Sequence, residues 1–206
     1  MTMSEMKVIE TPNLKRRQIL AGATGVVGAV GAAFVAVPFV GSWQPSERAK
    51  AAGAPVNADI SQMQPGQMLT VNWRGKPVWV VRRTPAMLEQ LAALDDVVRD
   101  PMSDNSEQPA YAKNSTRSIK PEYLVVVGIC THLGCSPLYR PAPNSPDMAA
   151  GWRGGFFCPC HGSSFDLAGR VFRAVPAPTN LEIPMHGYLS ETVIRIGEEV
   201  EEGGLA

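Results

Sequence analysis

A long uncharged segment near the start of the chain is its clearest hydrophobic feature. Residues 18–46 contain no charged side chain, and the apolar centre of this segment extends from Ile19 to Val40. At about 1.5 Å per residue, these 22 residues would form an α-helix about 33 Å long, close to the hydrocarbon thickness of a bilayer. The pattern therefore predicts a single transmembrane anchor over residues 18–42, after a short lead over residues 1–17.

The residues at the two ends of this segment indicate its orientation. Three basic residues precede it, Lys15, Arg16 and Arg17, and positive flanks favour the cytoplasmic side. Trp43 lies at the opposite end, where an aromatic side chain can anchor at the membrane interface. The remainder of the chain is therefore predicted to lie on the far side of the membrane. Together with the export signal described next, this implies a head in the periplasm, anchored in a bacterial inner membrane.

The same N-terminal segment has features of an export signal. Residues 16–20, Arg-Arg-Gln-Ile-Leu, look like a twin-arginine signal, which would suit a protein that folds around a cofactor before export. A cleaved signal peptide is the alternative, but its apolar region would be shorter, about 7–15 residues, with a cleavage site close behind. The first Ala-x-Ala site beyond the apolar run is residues 49–51, well past Val40, so an uncleaved anchor is expected.

Beyond the anchor, the pattern changes to a tether and then to short β-strands. Residues 43–57 are mostly small or polar, and we interpret them as a flexible hinge between the anchor and a head over residues 58–206. Two apolar runs at residues 69–73 and 77–81, separated by Arg-Gly-Lys, predict a β-hairpin at the start of the head.

The rest of the head alternates short apolar runs with polar loops. The predicted elements are a short helix over residues 85–94, a loop over 100–120, a buried strand over 123–128, a strand at 156–157 and a last strand over 192–196. The 18 prolines and 19 glycines also favour a loop-rich, mostly β domain over a helical one.

Charge adds little to this picture. The 19 basic and 19 acidic residues balance, so no nucleic-acid partner is expected. Four glutamates form an acidic tail that we interpret as a solvated end: Glu198, Glu199, Glu201 and Glu202.

The chemistry of the chain is concentrated in two short motifs that hold all four cysteines and two of the three histidines. They read Cys130-Thr131-His132-Leu133-Gly134-Cys135 and Cys158-Pro159-Cys160-His161-Gly162-Ser163. Each motif contains one Cys-x-His or Cys-x-x-His pair and one extra cysteine. Two cysteines and two histidines are the known ligands of a Rieske [2Fe–2S] centre, in which histidines replace cysteines on one iron. On these motifs the chain resembles the Rieske iron–sulfur subunits of quinol–cytochrome c reductases (cytochrome bc1 complexes).

The resemblance implies a role for each motif residue. One [2Fe–2S] cluster would be bound by Cys130 and Cys158 on one iron and by His132 and His161 on the other. The two remaining cysteines, Cys135 and Cys160, would form a disulfide that ties the two loops together. The head would then be an antiparallel-β Rieske domain with a small cluster-binding subdomain over about residues 128–180.

Three further positions follow from the same resemblance. Ser163 stands where relatives place a hydroxyl that donates to a bridging sulfide. Phe165 stands where many relatives have a tyrosine that donates to a ligating sulfur, so the reduction potential is expected to be lower than in those relatives. Residues 175–178, Val-Pro-Ala-Pro, resemble the proline loop that closes over the cluster. The remaining histidine, His186, is expected to be structural.

The function implied by the resemblance is that of a subunit with no activity alone. The chain would accept an electron, coupled to a proton, from quinol at a cytochrome b subunit, and would pass the electron to cytochrome c1 within a dimeric complex. His161 would contact the quinol, and His132 would be the other exposed ligand. Neutral imidazoles in place of thiolates leave such a cluster less negative, which raises its potential into the range that suits quinol.

Several alternatives remain open at this point. A structural zinc site could use the same four ligands, in a tethered interaction module without redox activity, but it would leave the two extra cysteines unexplained. An all-cysteine cluster would leave both histidines unused, and soluble Rieske ferredoxins typically lack the extra cysteines. A Rieske small subunit of another exported oxidoreductase, such as an arsenite oxidase, is the main functional alternative.

Overall fold

The structure is a computed structural model, and it describes residues 13–200. Most of the predicted lead, together with Glu201 and Glu202 of the acidic tail, therefore lies outside the described residues. The chain divides into two units, one that ends at Ala49 and one that begins at Lys50.

The first unit is built on one long helix, α1, over Leu14–Gly41. The helix begins after Asn13, whose side chain accepts a hydrogen bond from the backbone N–H of Arg16 at 3.1 Å, as an N-cap residue does. Its 28 residues have a mean hydropathy of 2.0 in the most apolar window, and none is buried by protein. Large apolar side chains such as Phe34, 78% exposed, would be costly in water. By length and composition α1 can cross a membrane, as predicted.

The segment predicted as a tether, residues 43–57, is partly helical in the structure. The structure has a short helix, α2, over Glu47–Ala52, and its three alanines favour the helical conformation. The first strand of the head begins at Val56, two residues before the predicted boundary.

The head is mostly β, as predicted, and all its strand pairings are antiparallel. Its strands are β1 Val56–Asp59, β2 Met68–Trp73, β3 Lys76–Arg82, β4 Tyr123–Val127, β5 Leu138–Arg140, β6 Gly155–Phe157, β7 Ser164–Phe165, β8 His186–Ser190 and β9 Val193–Ile196. They form three sheets of three strands each, with the orders β1-β9-β8, β2-β3-β4 and β5-β6-β7. A helix, α3 Pro85–Ala92, and a single 3₁₀ turn, Ala110–Ala112, complete the described elements.

The predicted hairpin and helix are both confirmed. Strands β2 and β3 are joined by Arg74 and Gly75, whose φ angles of 52° and 72° belong to the two-residue turns that suit the twist of a hairpin. Helix α3 starts at Pro85, where a missing N–H costs nothing, and the hydroxyl of Thr84 accepts from the N–H of Met87.

The middle sheet, β2-β3-β4, separates two apolar cores because alternate residues of each strand face opposite sides. One face packs with β1 and β9 in a core that contains Val78, Val80, Val125, Val127, Ile194 and Ile196. The other face packs against the region of the two motifs in a core that contains Trp79, Val81, Leu124, Val126, Phe156 and Phe165. Burial on both faces explains the continuous apolar run that predicted a buried strand at β4.

Candidate metal centre

The two motifs form loops with the same backbone hydrogen bonds. In each loop the N–H of the first cysteine donates to the carbonyl five residues later, and the N–H of a glycine donates back to the carbonyl of that cysteine. These distances are 2.7 and 3.0 Å in residues 130–135 and 2.8 and 3.0 Å in residues 158–163. The glycines are Gly134 and Gly162, with φ of 83° and 75°, a conformation that strongly favours glycine. Two equivalent loops are thus available to hold one group between them.

Short strands position both loops. Strand β4 ends at Val127, three residues before Cys130, so the first loop continues directly from the middle sheet. The second loop connects β6 to β7, with Phe157 paired to Ser164 across its base. Both loops are therefore anchored in β-structure, although β7 is only two residues long.

The predicted disulfide is present. Cys135 and Cys160 are bonded, with their Cα atoms 6.7 Å apart, and so join the two loops. The sulfur atoms of Cys135, Cys158 and Cys160 lie within 4.8 Å of one another, which could suggest a thiolate metal site. Two of these sulfurs belong to the disulfide and cannot act as thiolates, so this group does not form one.

The other two cysteines are free and lie together below the surface. Cys130 and Cys158 are each 2% exposed. Burial raises the pKa of the Cys130 thiol, the neighbouring Cys158 thiol adds to this effect, and hydrogen bonds from the His132 backbone and the Ser163 side chain oppose it. A buried pair of this kind needs a nearby positive charge to become thiolate, and metal ions supply that charge.

The two motif histidines form a second pair. The ring centroids of His132 and His161 are 4.8 Å apart, and the ring planes are nearly perpendicular, at 89°. His132 is half-buried and His161 is exposed. The structure thus brings cysteine to cysteine below the surface and histidine to histidine at the surface. This donor set, two thiols and two imidazoles, fits a two-iron cluster with mixed ligands.

Ser163 lies between the thiols and the proline loop, which we define as Val175–Pro178. The serine is fully buried, and its Oγ accepts a hydrogen bond from the N–H of Ala177 in that loop at 3.0 Å. The first motif contacts the residue that follows this loop, through the hydroxyl of Thr131, which donates to the carbonyl of Thr179 at 2.7 Å. Leu133, 72% exposed, lies at the surface between His132 and the disulfide-bonded Cys135.

The buried polar network that contacts the turn after the second motif was not predicted from the sequence. Arg83, Arg117 and Arg170 are each 3% exposed or less, and Asp166 is fully buried. Burial lowers the pKa of Arg83 and of Arg117 to about 10, so both remain charged at neutral pH. Burial acts the same way on Arg170, but the ion pairs with Asp166 and Asp95 outweigh it and raise the pKa.

This network holds the turn that follows the second motif. Arg83 donates to the carbonyl of Leu167 at 3.1 Å, and Arg117 donates to the carbonyls of Ala168 and Gly169 at 3.2 and 3.3 Å. The carboxylate of Asp166 accepts from the N–H of Ala168 and from the N–H and Nε of Arg170, at 2.7–2.9 Å. The loop predicted over residues 100–120 is irregular as expected, but Arg117 makes it part of the interior.

The only signal for this network in the sequence was the spacing of Asp166 and Arg170, four residues apart directly after the second motif. His186 agrees with its predicted structural role. It is 1% exposed, its Nδ1 lies 2.8 Å from the carbonyl of Pro184, and burial lowers its pKa. The ring nitrogen facing that carbonyl must carry the proton, because a carbonyl only accepts.

Comparisons with known proteins agree with both parts of the chain. Residues 6–46 match a family model described as "Ubiquitinol-cytochrome C reductase Fe-S subunit TAT signal", and residues 54–185 match the "Rieske [2Fe-2S] domain" model. The first match covers helix α1 and is consistent with a membrane-anchored, exported subunit.

Individual relatives give the same result. The chain is 63% identical over 187 residues to the ubiquinol-cytochrome c reductase iron-sulfur subunit of Allochromatium vinosum, with coverage of 91% of this chain and 90% of that protein. It is 42% identical over 192 residues to the subunit of the same name from Blastochloris viridis, covering 93% and 97%. It is also 44% identical over 145 residues to the mitochondrial Rieske subunit of the cytochrome b-c1 complex of Solanum tuberosum, covering 70% and 47%.

These matches bear on the alternatives that the motifs left open. Relatives at this identity and coverage are [2Fe–2S] proteins of an oxidoreductase complex, which argues against a structural zinc module. The chain belongs to the Rieske [2Fe–2S] family, and within it to the iron–sulfur subunits of ubiquinol–cytochrome c reductase.

Proposed function

We propose that Cys130 and Cys158 bind one iron of the [2Fe–2S] cluster and that His132 and His161 bind the other. The observation that carries this assignment is the pairing of like ligands, with two free thiols in contact below the surface and two imidazoles 4.8 Å apart above them. The disulfide between the loops supports it further, because it leaves only these two cysteines able to act as thiolates.

The proposed reaction is the oxidation of quinol, with the electron passed on to cytochrome c1. The cluster, when bound, supplies the one-electron redox chemistry. His161 is the residue that meets the substrate: it is exposed, and an imidazole nitrogen that does not face the metal can accept the hydrogen bond and then the proton of a quinol hydroxyl. His132, half-buried beside it, has the same capacity with less access.

An exposed apolar side chain beside the two motif histidines suits a docking role. Leu133 is 72% exposed in a soluble head whose other apolar side chains are mostly buried, and it follows His132 directly. Such a side chain is stabilised by contact with another protein. We propose that the surface around Leu133, His132 and His161 docks on the cytochrome b subunit when quinol is oxidised.

The remaining segments complete the assignment. Helix α1 anchors the chain in the inner membrane, with the head in the periplasm, where an oxidising environment maintains the disulfide. Residues 43–57 act as the tether that lets the head move between cytochrome b and cytochrome c1 in a dimeric complex. The chain therefore has no quinol oxidation activity by itself.

Electron paramagnetic resonance of membranes that contain the full chain, reduced with ascorbate, tests the ligand assignment. We expect a rhombic signal with an average g value below that of all-cysteine [2Fe–2S] clusters. The Cys130→Ser and His161→Ala variants should lose it, while His186→Gln, outside both motifs, should keep it. A protein that contains zinc and no acid-labile sulfide would contradict the proposal.

Co-purification separates quinol oxidation from the arsenite oxidase alternative. We expect the chain, extracted in mild detergent, to carry b- and c-type haem and to support reduction of cytochrome c by quinol. Purification with a molybdenum protein instead would contradict this function. The names of the relatives, all of them cytochrome c reductase subunits, favour the first outcome.

A further inference from the structure

The proline loop contacts the second motif through one hydroxyl, that of Ser163. The backbone N–H of Ala177 donates to the Oγ of Ser163 at 3.0 Å, and the Ser163 side chain is fully buried. The Cys130 thiol lies within hydrogen-bond reach of the same hydroxyl. Because Ala177 occupies an acceptor site of the oxygen, the hydroxyl proton is free to point toward sulfur. The position of Ala177 therefore sets the direction in which Ser163 donates.

Pro176 and Pro178 restrict the φ angles of the loop but leave it with few hydrogen-bond donors of its own. Pro176 and Pro178 have no backbone N–H and cannot hold the neighbouring backbone through donated hydrogen bonds. Hydrogen bonds that tie the loop carbonyls to the rest of the head therefore come from donors in other segments.

Arg99 provides these donors from outside the loop. Its Nη2 donates to the carbonyl of Val175 at 3.3 Å, and its Nη1 donates to the carbonyl of Pro178 at 3.4 Å. These are the first and last residues of the loop, so one guanidinium spans it from end to end. A planar, charged fork is suited to bridging two carbonyls, which a single ammonium group does less well.

The backbone at Arg99 is fixed by hydrogen bonds to neighbouring segments. Its backbone N–H donates to the carbonyl of Val171 at 2.8 Å, and Val98 forms a bridge with Phe172. The next residue, Asp100, accepts from the side chain of Asn180 through its carbonyl at 2.9 Å. Arg99 thus extends from a backbone that is attached on both sides of the proline loop.

We propose that Arg99 is a positioning residue for the iron–sulfur centre. By holding the carbonyls of Val175 and Pro178 it fixes Ala177, and through Ala177 it keeps the Ser163 hydroxyl directed at sulfur. This inference rests on the proposed ligand set, because Ser163 can act on the cluster only if Cys130 binds it. Hydrogen bonds to cluster sulfur stabilise the reduced state, so loss of Arg99 lowers the reduction potential.

Hydrogen exchange tests the first step, from Arg99 to the loop. The full chain with its cluster, in detergent, is compared with the Arg99→Gln and Arg99→Lys variants by mass spectrometry of peptides covering residues 174–181. The two prolines carry no amide, so few positions contribute to the signal. We expect exchange to become about tenfold faster in both variants, the factor that one lost hydrogen bond represents. Arg153→Gln, which removes another exposed positive charge outside the loop, should leave the exchange unchanged. Unchanged exchange in Arg99→Gln would overturn the proposal.

A double-mutant cycle tests the second step, from the loop to the cluster. Midpoint potentials are measured by electron paramagnetic resonance in membranes for the full chain, Arg99→Gln, Ser163→Ala and the double variant. We expect Arg99→Gln to lower the potential when Ser163 is present and to have no further effect in the Ser163→Ala background. An equal shift in both backgrounds would mean that Arg99 acts by its charge alone, which overturns the positioning role. Absence of the Rieske signal from the unmodified chain would instead contradict the proposed function.

Discussion

The two cores of the head are stabilised in different ways. The base core, between the β1-β9-β8 sheet and one face of the middle sheet, is wholly apolar, and seven of its ten buried residues are valine or isoleucine. The predicted cluster-binding region, over residues 128–180, has strands of only two or three residues and is held by buried arginines, a buried aspartate and a disulfide. Apolar packing is non-directional and tolerates small changes, whereas hydrogen bonds and covalent links fix the geometry of loops. A ligand site built on loops needs the second kind of support.

The largest expected effect is at the centre of the polar network. Asp166→Asn keeps the shape of the side chain but removes the charge that balances three buried arginines, so we expect it to reduce the free energy of unfolding by about 3–5 kcal/mol. Val80→Ala in the base core should cost only about 2 kcal/mol, mainly through lost apolar burial. The measurement is the temperature at which the visible absorbance of the cluster is lost. Equal effects of the two substitutions would contradict the comparison.

The disulfide should have the next largest effect. Removing it in a Cys135→Ser, Cys160→Ser double variant opens a loop with a sequence separation of 25, which in the chain-entropy model costs about 3–4 kcal/mol. We expect the cluster to be lost at a lower temperature, while the base core keeps its β-structure in circular dichroism. A cluster as heat-resistant as in the unmodified chain would show that the arginine network alone holds the loops.

The sequence predicted the apolar strands and the motif loops, but not the polar contacts that support those loops. Apolar runs predicted β2, β3 and β4, and the spacing of cysteine and histidine predicted which loops would meet. The polar network was not predictable, because Arg83, Arg117 and Arg170 are far apart in sequence, and arginine is rarely buried. The role of Arg99 depends on two carbonyls more than seventy residues away, which no local pattern encodes.

The short helix α2 is another feature that the sequence did not predict. Residues 43–57 contain small and polar residues that are typical of linkers, and the same alanines also favour a helix. Composition does not distinguish these two conformations over six residues, because short helices depend on their surroundings.

A smaller, pH-dependent effect is expected from the base region. Burial holds the pKa of His186 below its ordinary value of 6.5, so as pH falls through 6.5 the unfolded chain binds the proton before the folded chain does. His186 therefore contributes stability above that pH, and the contribution is lost at lower pH. We expect the thermal midpoint of the unmodified chain to drop more between pH 8 and pH 5.5 than that of His186→Gln. Parallel pH profiles of the two proteins would exclude this contribution.

The smallest expected effect concerns a donor that the cluster-binding region lacks. Phe165 is fully buried in the same core as Cys130 and Cys158, at the position where the family resemblance implies a tyrosine that donates to a ligating sulfur. Phe165→Tyr should therefore add one hydrogen bond that favours the reduced cluster. A bond worth about 1 kcal/mol corresponds to a rise of about 40 mV in the midpoint potential of a one-electron couple.

The control for this substitution is Phe172→Tyr, which adds the same hydroxyl to a half-buried ring that packs against Trp152. Its midpoint potential should equal that of the unmodified chain. If Phe165→Tyr left the potential unchanged or lowered it, the hydroxyl would not reach sulfur. The potential would then depend on Ser163 and the backbone of the two loops, and the cluster-binding region would be tuned by the same directional contacts that hold it in place.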